Sequence, residues 1–212
     1  MLELNRIYEG DSTNIMARWP NSQMVIVTDP VWPNAKVKLH GSDDPYEALR
    51  RCAHFWPRLA RTAIVQLGCD SDPRILSAVP DELPFVRVAW LRYARPHYKG
   101  NILYSGDVAY VFGEERVPKG RHLLPGETTM TESRKEKNGH PCPRSLSHLI
   151  FLIASMTKEE DIIFDPFIGS GTTAIAAEMC GRQWVGIEID ETFVKIGNER
   201  LVKLRRQGKL AL

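Results

Sequence analysis

The sequence predicts an α/β fold, a doubly wound and mostly parallel sheet with an antiparallel hairpin at one edge. Three observations predict it. Short apolar runs alternate with longer segments of helical spacing, the pattern of successive βα units. The run Met24 to Val27 is apolar at every position, as a strand buried on both faces must be. Two strands, leading into Asp29 and Asp165, break directly into turns rich in Pro and Gly, and such turns sit at the carboxyl ends of strands where open α/β sheets bind ligands. With 212 residues, 43% of them hydrophobic, the chain is long enough for one well-buried core, and a single domain over 1–212 is expected.

Leu4 to Tyr8 reads as the first strand, followed by a turn at Glu9 and Gly10 and a helix through Ile15 and Met16 that Asp11 and Ser12 are placed to cap. Met24 to Val27 is the second strand, stopped by Thr28-Asp29-Pro30-Val31-Trp32-Pro33, because two prolines cannot continue a ladder. A polar loop over 33–44 precedes a helix from Pro45 to Ala60, with Tyr46, Leu49, Cys52, Ala53 and Trp56 on one face and Pro57 able to kink or end it. Thr62 to Leu67 is the next strand, followed by a short helix around Arg74 to Val79. Phe85 to Trp90 and Val108 to Phe112, separated by a segment rich in Arg, Tyr and His, suit a hairpin. From 113 to 139 the composition turns to charge, Gly, Pro and Thr without periodicity, which reads as a loop. Pro143 to Met156 resumes helical spacing, and a last helix runs from Glu191 to Arg206, its basic end favoured by the helix dipole.

Lys and Arg total 28 against 26 for Asp and Glu, so a net charge of +2 gives no vote for a polyanionic partner, and any positive surface must be local. No apolar run approaches membrane-spanning length and the N-terminus has neither signal-peptide nor transit-peptide character. A cytoplasmic protein is expected. The four cysteines, Cys52, Cys69, Cys142 and Cys180, contain no C-x-x-C pair, so neither a disulfide frame nor a zinc site is expected, and buried free thiols are.

The stretch from Asp161 to Asp190 carries the most chemistry. Strand, glycine turn, small-residue helix and a second strand ending in acid make a nucleotide-binding βαβ unit. Gly169 and Gly171 permit positive φ and close backbone approach, Ser170 and Thr172 can cap the helix that follows, and Glu188 ends the next strand where a carboxylate can grip two ribose hydroxyls. G-S-G-T is neither the dinucleotide G-x-G-x-x-G nor a P-loop, which needs Lys before the Ser/Thr. A ligand with a ribose, an adenine and an amino-acid tail but no pyrophosphate suits this turn better.

D-P-F-I-G-S-G-T-T, over 165–173, resembles the S-adenosylmethionine-binding motif of the amino-methylating DNA methyltransferases, and Asp29-Pro30-Val31-Trp32 resembles their catalytic D-P-P-[YFW] tetrapeptide. The catalytic motif precedes the cofactor motif, and His140-Pro141 precedes the helix before it, an order that resembles the beta-type permutation of the family. The resemblance implies a Rossmann-like methyltransferase fold, with 1–112 as the catalytic half, 113–139 as a minimal target-recognition region and 140–212 as the cofactor half. It implies Asp29, Pro30 and Trp32 as catalytic residues. For the cofactor it implies Asp165, Phe167, Gly169, Ser170, Gly171 and Thr172 around the amino-acid tail, Glu188 on the ribose, Asp11 near the adenine, and His140 with Pro141 beside the methionine end.

An exocyclic amino group is a poor nucleophile because its lone pair is delocalised into the base. A carboxylate from Asp29 and the carbonyl of Pro30, by accepting its two N–H bonds, would hold that lone pair towards the sulfonium methyl. Trp32 offers a face for an extruded base. Val31 departs from the pattern, where a second Pro would stiffen the loop. Asp in the first position leans towards adenine N6, with cytosine N4 as rival; cytosine C5 chemistry through Pro141-Cys142 is rejected. Lys36, Lys38, Arg92, Arg95, Lys99 and Arg121 are expected to form a positive rim for DNA. So short a recognition region implies relaxed specificity or recognition shared with a second subunit, as in a homodimer. A silent nucleic-acid binder and a methyltransferase of another substrate are the readings from other classes.

Overall fold

The computed structural model describes residues 2–34, 38–120, 123–131 and 144–210, with side chains through 207. Among them, eight strands form one sheet in the order β1-β8-β7-β2-β3-β5-β4-β6. The strands are β1 (Arg6–Glu9), β2 (Met24–Thr28), β3 (Ala60–Gly68), β4 (Phe85–Lys99), β5 (Ile102–Gly113), β6 (Glu127–Thr129), β7 (Ile162–Asp165) and β8 (Gln183–Glu188). β1, β8, β7, β2 and β3 are parallel neighbours, whereas β5 runs antiparallel to both β3 and β4.

The parallel strands are sandwiched because their alternate residues face opposite ways. Val25, Val27, Ile64, Ile163 and Trp184 join one buried cluster; Met24, Ile26, Ala63, Val65, Phe164, Val185 and Ile187 join the other. The second cluster is covered by α1 (Ser12–Met16), α2 (Pro45–Ala53) and α3 (Trp56–Leu59), through Met16, Leu49, Cys52, Trp56 and Leu59. The first is covered by α4 (Leu146–Met156), α5 (Thr172–Met179) and α6 (Glu191–Leu210), through Leu149, Leu152, Ile153, Ile175, Val194 and Leu201. A 3-10 helix, Pro73–Ala78, stands where the short helix after β3 was expected.

Several expectations need correction. The helix expected over 45–60 is two, because the chain leaves helical pairing at His54 and Phe55, and Pro57 then occupies the first turn of α3, where its missing N–H leaves no bond unmade. The hairpin is much longer than the apolar runs 85–90 and 108–112. Its ladder continues through His97↔Tyr104 and Lys99↔Ile102, past the end of β3, as a two-stranded ribbon. Nor is the hairpin the edge: β6, inside the segment read as loop, pairs parallel with β4 through Trp90↔Glu127 and Arg92↔Thr129. Cys52 is buried, Cys180 half-buried and Cys69 exposed, and Cys142 lies outside the described residues. Among the described residues no helix is long and apolar enough to cross a membrane.

One glycine shows how tightly the sheet supports the turn after β7. A Cβ on Gly186 of β8 would come 2.1 Å from Cδ1 and 3.0 Å from Cβ of Ile168. Ile168 in turn donates its N–H to the carbonyl of Ile187 at 3.0 Å. Gly186→Ala is expected to destabilise the protein by about 2 kcal/mol, as overpacking of a fixed site does. Urea unfolding checks it, and an unchanged midpoint would refute it.

Candidate active site

The carboxyl ends of β1, β2, β7 and β8 open into a cleft of about 500 Å³. Its walls come from both ends of the chain: Gly10 and Asp11 after β1, Asp29 to Trp32 after β2, Asp165 to Ser170 after β7, and Glu188 at the end of β8. β2 and β7 are adjacent, with Ile26 opposite Phe164, so the turns after Asp29 and Asp165 leave the sheet side by side.

The glycine turn takes the backbone the sequence suggests, with φ of 52° at Gly169 and 80° at Gly171. Gly171 itself is the N-cap of α5, and no side chain caps it, which corrects the capping role given to Ser170 and Thr172. Their hydroxyls serve another contact. Arg200 of α6 donates to the Ser170 hydroxyl at 3.4 Å and carbonyl at 2.5 Å and to Thr172 Oγ1 at 3.1 Å, tying the turn to the last helix. α6 can approach because a Cβ on Gly171 would lie only 3.2 Å from the Cα of Gly197, another residue without a side chain.

Asp165 is 2% exposed and its oxygens are engaged: Oδ1 accepts from Thr28 at 2.7 Å and from the Phe167 N–H at 3.1 Å, and Oδ2 accepts from Thr173 at 2.6 Å. Burial pushes its pKa up to about 7, against the downward pull of these bonds. Asp165 lines the cleft but works mainly as a tie between β2, β7 and α5. Glu188 accepts from the Gly169 N–H at 2.8 Å and the Asp190 N–H at 2.9 Å; burial raises its pKa. A carboxylate has about four lone-pair sites, so these bonds leave room for a ligand. Asp11 caps α1 by accepting from the Asn14 N–H at 2.9 Å and also faces the cleft.

At the end of β2, Asp29 Oδ1 accepts from the Trp32 indole N–H at 2.8 Å, which sets the ring beside the carboxylate. Oδ2 accepts from Nε of Arg144, and the Arg144 guanidinium lies over the Trp32 ring, 3.8 Å from its centroid. Burial raises the Asp29 pKa, with the charge and hydrogen bond of Arg144 opposing. Gly68, at the end of β3, lies so close to Trp32 that a Cβ there would come within 2.4 Å of the ring.

Of the residues expected at the site, Asp11, Asp29, Pro30, Trp32, Asp165, Phe167, Gly169, Ser170, Thr172 and Glu188 line one cleft, and Gly171 sits beneath it as the cap of α5. Lys38 reaches its rim. His140, Pro141, Lys36 and Arg121 lie outside the described residues. Arg92, Arg95 and Lys99 are exposed on the ribbon of β4 and β5; Arg92 pairs with Glu127 and Lys99 with Asp70. Asp70 also accepts, through its carbonyl, from Asn34 at 3.1 Å, so the ribbon is linked to the loop that carries Trp32. Arg144 and Arg200 were missed. Each is a lone cation in an ordinary helical context, and nothing in its neighbours marks it.

A parallel sheet with helices on both faces and a cleft at its switch point, holding a glycine turn and a strand-end acid, defines a Rossmann-like methyltransferase fold. Solved structures share it. M1.HpyAVI, solved in complex with SAM, superposes with a TM-score of 0.72 at 21% identity, over 92% of this chain and 98% of that one. PvuII DNA methyltransferase, cytosine-N4-specific, gives 0.70 at 16% identity, over 95% and 91%. In sequence, the chain is 28% identical to YubD of Escherichia coli (strain K12) over 96% of its own length and 92% of that protein's. It is 32% identical to the Type II methyltransferase M2.MboI of Moraxella bovis over 52% of its length, which spans 40% of that protein. Residues 125–199 match the family described as DNA methylase of the N6/N4 type. Over those residues the chain is similar to that family of DNA methyltransferases.

Proposed function

We propose that the protein transfers a methyl group from S-adenosylmethionine to the exocyclic N6 of adenine in DNA. The observation that carries this reading is the side-by-side exit of two turns from adjacent strands: one presents a carboxylate next to an aromatic face, the other a glycine cradle next to a strand-end acid. The cleft has the volume of a site for a ligand of cofactor size. Gly169 leaves room for an amino-acid tail, Glu188 keeps a lone pair for ribose hydroxyls, and Asp11 lines the same cleft for an adenine edge. When bound, the cofactor supplies an electrophilic methyl on a sulfonium.

The chain's own residues do the rest. Asp29 and the Pro30 carbonyl accept the N–H bonds of the amino group, so the nitrogen lone pair is turned to the cofactor side rather than into the ring. Trp32 stacks on the base, and Val31 leaves the loop without the second proline of the family motif. The ribbon of β4 and β5 overhangs the carboxyl edge of the sheet with Arg92, Arg95, Tyr98 and Lys99 exposed, a shape and charge suited to a DNA groove.

Incubation of the protein with isotopically labelled S-adenosylmethionine and unmethylated DNA, followed by nucleoside mass spectrometry, tests the reading. Labelled N6-methyladenine is the expected product. N4-methylcytosine would keep the mechanism and change the base, and no methylated nucleoside at all would refute the reading.

A further inference from the structure

The residue that lies on the Trp32 ring here is an arginine. Arg144, at the foot of α4, has only 14% of its side chain exposed, and it makes the two contacts that the proposed mechanism requires of a target base: an N–H donated to Asp29 Oδ2 and a flat π-system against Trp32, 3.8 Å from the ring centroid. Guanidinium and aminated base are alike in this respect, both planar and both carrying N–H donors in the plane. Trp32 cannot retreat to offer both of them room. Its indole N–H is held by Asp29 Oδ1 at 2.8 Å, and its ring is packed against the backbone of Gly68.

We propose that Arg144 is a stand-in for the target base, holding the place between Asp29 and Trp32 until a base able to replace both of its contacts displaces it. The inference rests on the reading of Asp29 and Trp32 as the base site. A base with an exocyclic amino group, adenine or cytosine, restores the N–H to Asp29 and the stack on Trp32. Thymine restores the stack but turns a carbonyl oxygen towards the carboxylate, so the exchange with Arg144 is unfavourable. Occupation of the empty site by Arg144 therefore weakens binding of the aminated bases, which must displace it, whereas thymine, which does not enter the site, loses nothing to it. Arg144 also gives the Asp29 carboxylate a charged partner whenever no base is present.

The test compares binding of single-stranded oligodeoxyadenosine, oligodeoxycytidine and oligodeoxythymidine by fluorescence anisotropy, with S-adenosylhomocysteine filling the cleft so that nothing turns over. Removing a cation weakens all three oligonucleotides alike, so the ratio of affinities isolates the base site. In Arg144→Ala the preference for the aminated oligonucleotide over oligodeoxythymidine is expected to rise by about five- to tenfold, the scale of a lost charge-assisted hydrogen bond and cation–π contact. Arg144→Lys keeps the charge facing Asp29 without the plane, and is expected to give a rise of about two- to threefold, less than Ala because part of the competition remains. Circular dichroism establishes that each variant is folded, and Arg144→Lys carries the test if Arg144→Ala is not.

An unchanged or reduced ratio in the folded variants overturns the inference and makes Arg144 a structural anchor of α4 or a phosphate contact. If the wild type methylates DNA and the ratio does not rise, only this inference fails. If the wild type neither methylates DNA nor binds any of the oligonucleotides, the reading of the site fails and the inference falls with it.

Discussion

Replacing Asp29 by Ala is expected to lower kcat for methyl transfer by about 10²- to 10³-fold, while affinity for S-adenosylmethionine changes by less than about threefold, as for loss of a group aimed at charge that develops in the transition state. The carboxylate lies at the end of β2, one strand from the glycine turn, and its bond to Trp32 shows that it is oriented towards the aromatic face. Ala also strips Arg144 of its carboxylate, so some loss of stability should accompany the loss of rate. Asp29→Asn separates the two effects. It keeps the shape, yet its amide N–H₂ opposes a donor instead of accepting one, so it too should be slow although folded.

A pH profile adds a second readout. Burial holds the Asp29 carboxyl above the ordinary aspartate value, with Arg144 pulling the other way. The ionised form is the one that accepts the amino N–H bonds, so kcat/KM should fall as pH drops through a pKa on the high side of the usual range. The residual activity of Asp29→Asn should lack that limb. Wild-type kinetics in Asp29→Ala, or an identical acid limb in Asp29→Asn, would remove Asp29 from the chemistry.

The second large effect is on stability. Asp165 accepts from two hydroxyls and one amide while buried, so Asp165→Ala leaves three donors without their acceptor in the middle of the sheet. A loss of about 2–4 kcal/mol is expected, or roughly 5–15 °C in Tm for a chain of this length. The sign of its pH dependence is set by the raised pKa. Between the unfolded value near 3.8 and the folded value of about 7, the folded state binds the Asp165 proton more tightly than the unfolded chain does. The contribution of this proton to stability is therefore full below about pH 4 and is lost as pH rises through about 7. Unfolding by urea at pH 5 and pH 8 should show the gap between wild type and Asp165→Asn narrowing at the higher pH; a gap that widens would mean that the carboxylate is stabilised where it sits.

Local signals that coincide with burial were legible before the structure. Asp11 caps α1, the strand at 24–28 is buried at every position, and the glycine turn, Asp29 and Glu188 meet in one cleft because βα topology brings the carboxyl ends of parallel strands together. What was missed lacks an apolar face. The outer half of β4, from Arg92 to Lys99, alternates nothing because both of its faces leave the core, and only its ladder with β5 marks it as strand. Glu127–Thr129 is three polar residues whose strand character is supplied by β4. Arg144 is placed by tertiary contact with two residues more than a hundred positions away, and no local pattern carries such a contact.

The strand order has a consequence for how the chain is made. β1 finds its partner in β8, with Arg6 opposite Val185, and β2 lies against β7. During synthesis from the N-terminus the first strand therefore waits for β8 to emerge, and the segment that carries Asp29 cannot complete its sheet before the segment that carries β7 arrives. Pairings of such separation close late and slowly. Nascent chains ending before β8 would present bare strand edges along β2, β7 or β1, and a stalled or truncated product is the form in which this protein is most exposed to aggregation.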